Sequence, residues 1–345
     1  MPSRPQRPNR RAACAWLAAT AAWCATGCAA PRAGAASRER AALATQPRAL
    51  EIASGVYMLA GASGEPDIAN LGRVGNAGFI VGPSGVMAID TGTSHRHGSE
   101  LLDAIGRVTR QPVKLALITH TRQEFLFGAA AFRERGIPVA MQRHAATLMA
   151  SRCETCLKAL RQLLGDEAMR GTETFKADRL FDEGHTISNV RSDTYTGTSA
   201  DNIGRPVQVL YFGHSSGPGD IGVFDPTTGT LFAGGLVDCL RIPDVGDSDL
   251  PGWRQALRAL HALPIKRLVP GHGPASDASA IDAVDRYLAQ LEARARELVR
   301  DDVALSDVPD ALALADFATW AQYDTVHRRN AAIVFLRVER EQLFK

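Results

Sequence analysis

Val113-Lys114-Leu115-Ala116-Leu117-Ile118-Thr119-His120 runs directly into Thr121-Arg122-Gln123-Glu124-Phe125-Leu126-Phe127-Gly128-Ala129-Ala130-Ala131-Phe132. The first half is a continuous apolar run and predicts a buried strand over 113–119. The second half predicts a helix through Phe132. Upstream, residues 76–81 and 85–90 read as two strands joined by the turn Gly82-Pro83-Ser84-Gly85. Residues 97–108 follow at helical spacing, with Leu101, Leu102, Ile105 and Val108 on one face. Strand character also appears at Val56-Tyr57-Met58. Downstream come a strand at 138–141 and a longer helix at 144–165. Three strands follow, at 207–212, 221–225 and 230–233. Leu250-Pro251-Gly252-Trp253 opens a helix with Leu257 and Leu260 inward. A last strand at 267–270 precedes helical segments at 276–300 and 323–343. No internal repeat is present, which argues against solenoids and propellers.

The chain has 345 residues, enough for one large or two ordinary domains. Its 45% apolar content, with 31 Gly and 18 Pro, suits a loop-rich α/β or all-β protein and excludes a disordered chain, a collagen or a coiled coil. A net charge of +2 gives no electrostatic case for nucleic acid. Only five of the 39 basic residues are Lys, so scattered arginines reflect composition rather than function.

Arg4, Arg7, Arg10 and Arg11 precede a short apolar stretch that ends in Ala25-Thr26-Gly27-Cys28. A basic start, a short apolar run and a small-residue site make residues 1–27 an export signal. The ending resembles a bacterial lipobox, with Cys28 as the lipidated first residue and a membrane as partner through that lipid. Ordinary cleavage near residues 33–36 is the rival. The apolar run is shorter than the roughly 20 residues a membrane span requires. Residues 28–48 read as a tether, 49–275 as the folded domain and 276–345 as its helical extension. Four positive charges lie in the signal, so the exported part is slightly acidic.

Cys153-Glu154-Thr155-Cys156 reads as a disulfide in an oxidising compartment, or as a free or redox-active pair. Cys239 reads as a small buried residue.

Six motifs then occur in one order. They are Asn76-Ala77-Gly78-Phe79-Ile80-Val81-Gly82, Ile89-Asp90-Thr91-Gly92, Ile118-Thr119-His120, Gly219-Asp220, Phe232-Ala233-Gly234-Gly235 and Val269-Pro270-Gly271-His272-Gly273-Pro274. The series resembles the metallo-β-lactamase superfamily. The resemblance implies an α/β fold, a four-layer αββα sandwich with its active site at one edge, here with a C-terminal helical extension. Phe127–Phe132, Arg241-Ile242-Pro243, Asp249-Leu250-Pro251-Gly252-Trp253, His327, Asn330 and Glu339 look like a narrower group, the quinoprotein relay system zinc metallohydrolases and their sulfur-oxidation relatives.

That resemblance also implies a ligand set, His-x-His-x-Asp-His, a later His, a bridging Asp and a final His. Imidazoles and carboxylates hold zinc, and zinc lowers the pKa of bound water to about 7. Here His120 takes the first position and His272 the last, while Glu124 stands for the Asp. Arg122, Phe125, Ser216 and Gly235 occupy the remaining positions. A guanidinium has no lone pair to donate. Phe and Gly side chains cannot coordinate. A two-metal site is therefore not expected, and a one-metal site would rest on His120, Glu124 and His272, with His214 as a further candidate. Arg122 is expected to stand in for the missing metal charge, paired with Glu124 or another acid, or to receive an anionic ligand. His95 and His97 read as a fresh metal pair or as exposed loop histidines, and Asp90 as a turn residue. His144, His185, His261 and His327 read as surface or core residues.

Three functional readings follow. The first is an exported, lipid-anchored binding or accessory protein that is inert or strongly impaired as an enzyme and needs no cofactor. The second is a zinc hydrolase, with a mononuclear or relocated metal, of an ester, thioester or other small periplasmic metabolite. The third is a redox or sulfur-carrier role for Cys153 and Cys156.

Overall fold

Leu115 and Leu117 of one strand face one apolar core, while Ala116 and Ile118 face another. This two-residue alternation recurs along the central strands and sorts the molecule into layers. A computed structural model describes residues 47–187 and 201–343. Residues 1–46, which include the segment read as an export signal, Cys28 and most of the segment read as a tether, lie outside the described residues.

The first sheet runs in the order β1 (Leu50–Ala53), β2 (Val56–Leu59), β3 (Ala77–Gly82), β4 (Gly85–Ile89), β5 (Val113–Ile118), β6 (Val139–Gln142), β7 (Arg179–Phe181). It is antiparallel from β1 to β4 and parallel from β4 to β7. The second sheet contains β8 (His185–Ile187), β9 (Val207–Tyr211), β10 (Ile221–Asp225), β11 (Thr230–Gly234) and β12 (Arg267–Pro270), ordered 12-11-10-9-8. Only its β11–β12 pair is parallel.

Met87, Ile89, Leu115 and Leu117 meet Ile221, Val223, Phe232 and Val269 between the sheets. Val86, Ala88, Ala116 and Ile118 face outward onto the helices His95–Val108, Ala129–Glu134 and Arg143–Leu164. Phe224, Leu231, Ala233 and Leu268 face the helices Leu250–His261, Ser279–Arg300 and Arg328–Leu343 on the opposite side. The result is the αββα sandwich, with the C-terminal helices built onto its second outer layer. Each fully buried Leu, Ile or Phe in these layers contributes about 1.5–3 kcal/mol. Among the described residues no helix is long and apolar enough to cross a membrane.

Several elements differ from expectation. The first strand is two strands, turned at Gly55 with φ +71°. The helix expected through Phe132 is two short ones, Gln123–Leu126 and Ala129–Glu134. They are separated at Gly128, where a Cβ would fall 1.9 Å from the Thr91 carbonyl oxygen. That close approach locks the turn after β4 against the helix after β5. The short strands β7 and β8 were not anticipated, and the C-terminal segment opens with a π-helical turn at Tyr323–His327.

Candidate functional site

Five chain segments end at one edge of the sandwich. Asp90 follows β4, Thr119 and His120 follow β5, Asp220 precedes β10, Gly235 follows β11 and His272 follows β12. Backbone hydrogen bonds tie the sheets together there, from Ile221 N–H to the Thr119 carbonyl (3.0 Å) and from Asn76 N–H to the Gly271 carbonyl (2.8 Å). The Asn76 amide also donates to the Pro270 and Gly273 carbonyls, both at 2.9 Å. Asp90, in the left-handed region at φ +58°, accepts from Thr119 N–H (2.8 Å) and Oγ1 (2.8 Å). Burial pushes its carboxyl up to about 7, and the nearby Asp220 adds to the effect.

His120 sits at the centre. Its Nε2 accepts a hydrogen bond from Arg122 Nε at 3.1 Å. Its Nδ1 lies 2.6 Å from Asp220 Oδ2 but makes no well-directed hydrogen bond there. Asp220 is fully buried and accepts from Ser216 Oγ at 2.6 Å. A Cβ on Gly235 would fall 2.3 Å from His120 Nδ1 and 2.4 Å from its Cε1. The imidazole therefore lies across the space where a bridging acid would begin. Phe125, wholly buried, stands edge-on to both His120 (5.6 Å) and His272 (5.2 Å) and fills the volume between them.

His272 is held on both nitrogens, by Asp238 Oδ1 at 2.8 Å and Glu124 Oε1 at 3.0 Å. Burial alone would discharge this ring, but the flanking Asp238 and Glu124 raise its pKa above the ordinary histidine value. Burial likewise works against Glu124, yet the hydrogen bond and charge of His272, with the charge of Arg122, hold it down at about 2. Asp238 is also lowered against its burial, chiefly by His272. The trio is an imidazolium between two carboxylates.

Arg122 Nη2 pairs with Asp244 at 2.8 Å, and Arg329 pairs with the same carboxylate. The Asp244 loop is pinned from the C-terminal helix. Asn330 accepts from Val245 N–H (3.2 Å) and donates to the Pro243 carbonyl (2.7 Å), and Arg337 donates to the Val245 carbonyl (2.9 Å). A cleft of about 240 Å³ opens over the site, lined among others by Thr121, Arg122, Gln123, Met149, Arg152 and Cys156.

The structure brings His120, Arg122, Glu124, Phe125, Ser216, Gly235 and His272 together and corrects several neighbours. His214 is exposed, and its Nε2 engages the Asp247 carbonyl at 2.7 Å, so it does not join the cluster. His95 and His97 neither form a pair nor lie in a loop. They open the helix His95–Val108 behind its Ser94 cap, His95 reaching Glu134 at 2.8 Å while His97 turns inward. Cys153 and Cys156 are free thiols, so the expected disulfide is not formed. They lie one turn apart inside the helix Arg143–Leu164, where Cys153 packs into the core and Cys156 lines the cleft. Cys239 is also free and half-buried. His144 reaches Tyr211 Oη at 3.2 Å, His261 reaches Asp282 at 3.1 Å, and His327 is buried against Tyr287. Asp238 and Asp244 escaped sequence reading. The cue was three acids, Asp238, Asp244 and Asp247, beside Arg241 in one loop.

These donors do not fit zinc. The His120 lone pair accepts from a guanidinium, both His272 nitrogens face carboxylates, and the bridging position carries no side chain. Among the described residues no group of three or more His, Cys, Asp or Glu side chains is arranged to hold a metal ion.

Fold and site together define an αββα sandwich whose strand-end edge is held by ion pairs among Arg122, Asp244, Glu124, His272 and Asp238. A family model described as the metallo-beta-lactamase superfamily matches residues 71–272. The chain belongs to that superfamily. It is similar to a metallo-beta-lactamase from Pontibacter korlensis at 25% identity, covering 71% of this chain and 99% of that one, with a TM-score of 0.54. It shares the fold of a metallo-beta-lactamase from Erythrobacter litoralis, solved with beta-mercaptoethanol in its active site. That match has 18% identity, covers 70% of this chain and 96% of the other, and has a TM-score of 0.53. No curated protein matches.

Proposed function

We propose that this chain is an exported, lipid-anchored binding or accessory protein that uses the sandwich edge without zinc and does not hydrolyse substrates there. One observation carries the reading: Arg122 Nε donates to His120 Nε2 at 3.1 Å. A histidine that accepts from a guanidinium offers no lone pair to a metal, and the cation beside it repels a dication. The charge a metal would contribute is supplied instead by Arg122 and the protonated His272. Without a bound metal to generate hydroxide, the fold's usual nucleophile is missing. The competing reading, a mononuclear zinc hydrolase, draws on the convergence of Glu124 and His272 (3.0 Å).

Metal analysis of the purified full chain, paired with an esterase and thioesterase screen, separates the two. The expected result is substoichiometric zinc and no chelator-sensitive turnover. Equimolar zinc that disappears in His120→Ala, or turnover abolished by chelator and restored by zinc, would overturn the proposal.

A further inference from the structure

We infer that the cleft over the rebuilt site binds a small organic carboxylate through Thr121, Arg122 and Gln123. The inference rests on the metal-free reading above and names the ligand class of the same cleft.

The charges lining the cleft nearly balance, so net charge does not choose the ligand. Uncommitted hydrogen-bonding capacity does. The acids are engaged: Glu124 with His272, Asp247 with both arms of Arg152, and Asp244 with Arg122, Arg329 and Gly246 N–H. The donors are not. Arg122 uses Nε on His120 and Nη2 on Asp244, and its Nη1 has no partner among the described residues. Neither the Thr121 hydroxyl nor the Gln123 amide has a side-chain partner among the described residues, and both line the cleft beside Arg122. Three consecutive residues thus present a guanidinium arm, a hydroxyl and an amide on one wall.

Arg122 is also held in place. His120 and Asp244 fix its plane from two sides, and its side chain keeps 32% exposure toward the cleft. The remaining Nη1 arm of this fixed guanidinium offers one carboxylate oxygen a charge-assisted hydrogen bond in a direction set by the protein. Arg152 is a second cation on the same cleft, in an exposed pair with Asp247 that an incoming carboxylate can exchange at little cost. Met149 and the half-buried Cys156 supply a soft, less polar wall for the body of the ligand. A bound metal would polarise a carbonyl oxygen at this edge. A guanidinium in its place holds an oxygen that is already anionic, so an acid is favoured over its ester.

The test uses the purified full chain and three probes of nearly one shape: benzoate, methyl benzoate and benzylamine. Titration followed by calorimetry and by NMR shifts of the Arg122 side chain is expected to show benzoate binding at least about tenfold tighter than either of the others. Arg122→Gln is expected to abolish the preference. Because Arg122→Gln also disturbs His120, Thr121→Val and Gln123→Ala serve as milder variants. Neither residue has a side-chain bond within the protein to lose, and each is expected to weaken benzoate severalfold. Benzylamine binding as tightly as benzoate, an absence of saturable benzoate binding, or benzoate binding unchanged in all three variants would each overturn the inference. Zinc content on the same sample distinguishes the failures. A zinc-free chain that ignores benzoate sinks only the ligand class, whereas a zinc-loaded, hydrolysing chain sinks the metal-free reading beneath it.

Discussion

Gly235→Ala is the smallest change that tests whether His120 has moved into the bridging-acid position. The new Cβ would lie 2.3 Å from His120 Nδ1, 2.4 Å from Cε1 and 2.6 Å from Cγ. Carbon contacts normally settle at about 3.5–4.0 Å, and the obstacle is a ring rather than the free end of a flexible chain. The ring has little room. Phe125 stands edge-on to it at 5.6 Å, Asp220 Oδ2 is 2.6 Å from Nδ1, and Arg122 holds Nε2 at 3.1 Å. Relief requires the imidazole to swing out and release Arg122. Overpacking costs about 1–3 kcal/mol and a hydrogen bond to a charged donor about 1.5–3 kcal/mol. The two overlap, because moving the ring relieves the clash by breaking the bond, so the expected loss is about 2–4 kcal/mol. Urea denaturation measures it, with Gly106→Ala as the control. Gly106 sits in the helix His95–Val108 with nothing within 4 Å of its Cβ position, so alanine there should stabilise by about 0.5–1 kcal/mol. Nitrogen shifts of the His120 imidazole report the ring. A Gly235→Ala protein within about 0.5 kcal/mol of wild type, with those shifts unchanged, would refute the geometry.

Three further outcomes follow from the electrostatics and the thiols. Glu124 is lowered from 4.5 to about 2 in the folded protein, so its stabilisation is complete above pH 4.5 and lost as pH falls through about 2. Glu124→Gln should therefore remove about 3 kcal/mol at neutral pH and flatten the acid limb of a stability–pH curve. An unchanged limb would show that the pair with His272 is not the source. Asp90 has the opposite sign. Its folded pKa of about 7 lies above the unfolded 3.8, so the native state binds the extra proton and stability declines between about pH 4 and 7. Asp90→Asn, tolerated at a positive φ, should gain relative to wild type at pH 8 and not at pH 4; equal differences at both would contradict this. Cys156, half-buried on the cleft, should react with a maleimide in the native protein before Cys153, which is 3% exposed. Labelling that requires prior reduction would restore the disulfide.

The central strands were legible as apolar runs, and the sandwich through the motif series that resembles the superfamily. Which face each residue takes, Leu115/Leu117 against Ala116/Ile118 and Val86/Ala88 against Met87/Ile89, appears only in the structure, because both faces are buried and all eight residues are apolar. Strands β7 and β8 have three residues each, too few to show any alternation. The ligand positions were legible only through the resemblance, whose motifs place His120, Arg122, Glu124 and Phe125 after β5, Ser216 before β10, Gly235 after β11 and His272 after β12. Their partners were not. Asp238 and Asp244 meet His272 and Arg122 only when the loop after β11 folds over the strand ends. The loop reading of His95 and His97 overlooked Ser94, an N-cap residue immediately before them, whose oxygen accepts from His97 N–H. The disulfide reading drew on the Cys-x-x-Cys pattern and an oxidising compartment, whereas both thiols are free in the helix Arg143–Leu164, Cys153 buried in the core and Cys156 packed against it at the cleft.

Arg122 and Gly235 look like two separate losses in the sequence, yet the site makes them one change. Glu124, Asp220 and Asp238 are buried together at this edge. Buried acids require compensating positive charge, and here Arg122 and His272 supply it. An acid at 235 would add a further carboxylate, and its Cβ would displace the ring that Arg122 binds. Removing Arg122 while adding that acid withdraws a cation and introduces an anion in one place. In the presence of chelator, Arg122→His with Gly235→Asp should therefore be destabilised beyond the sum of the single variants, by a coupling of about 1–3 kcal/mol. Denaturation of all four proteins of the cycle measures it. Additivity within about 0.5 kcal/mol would show that the two positions are independent, and that the guanidinium is not what balances the charge of this edge.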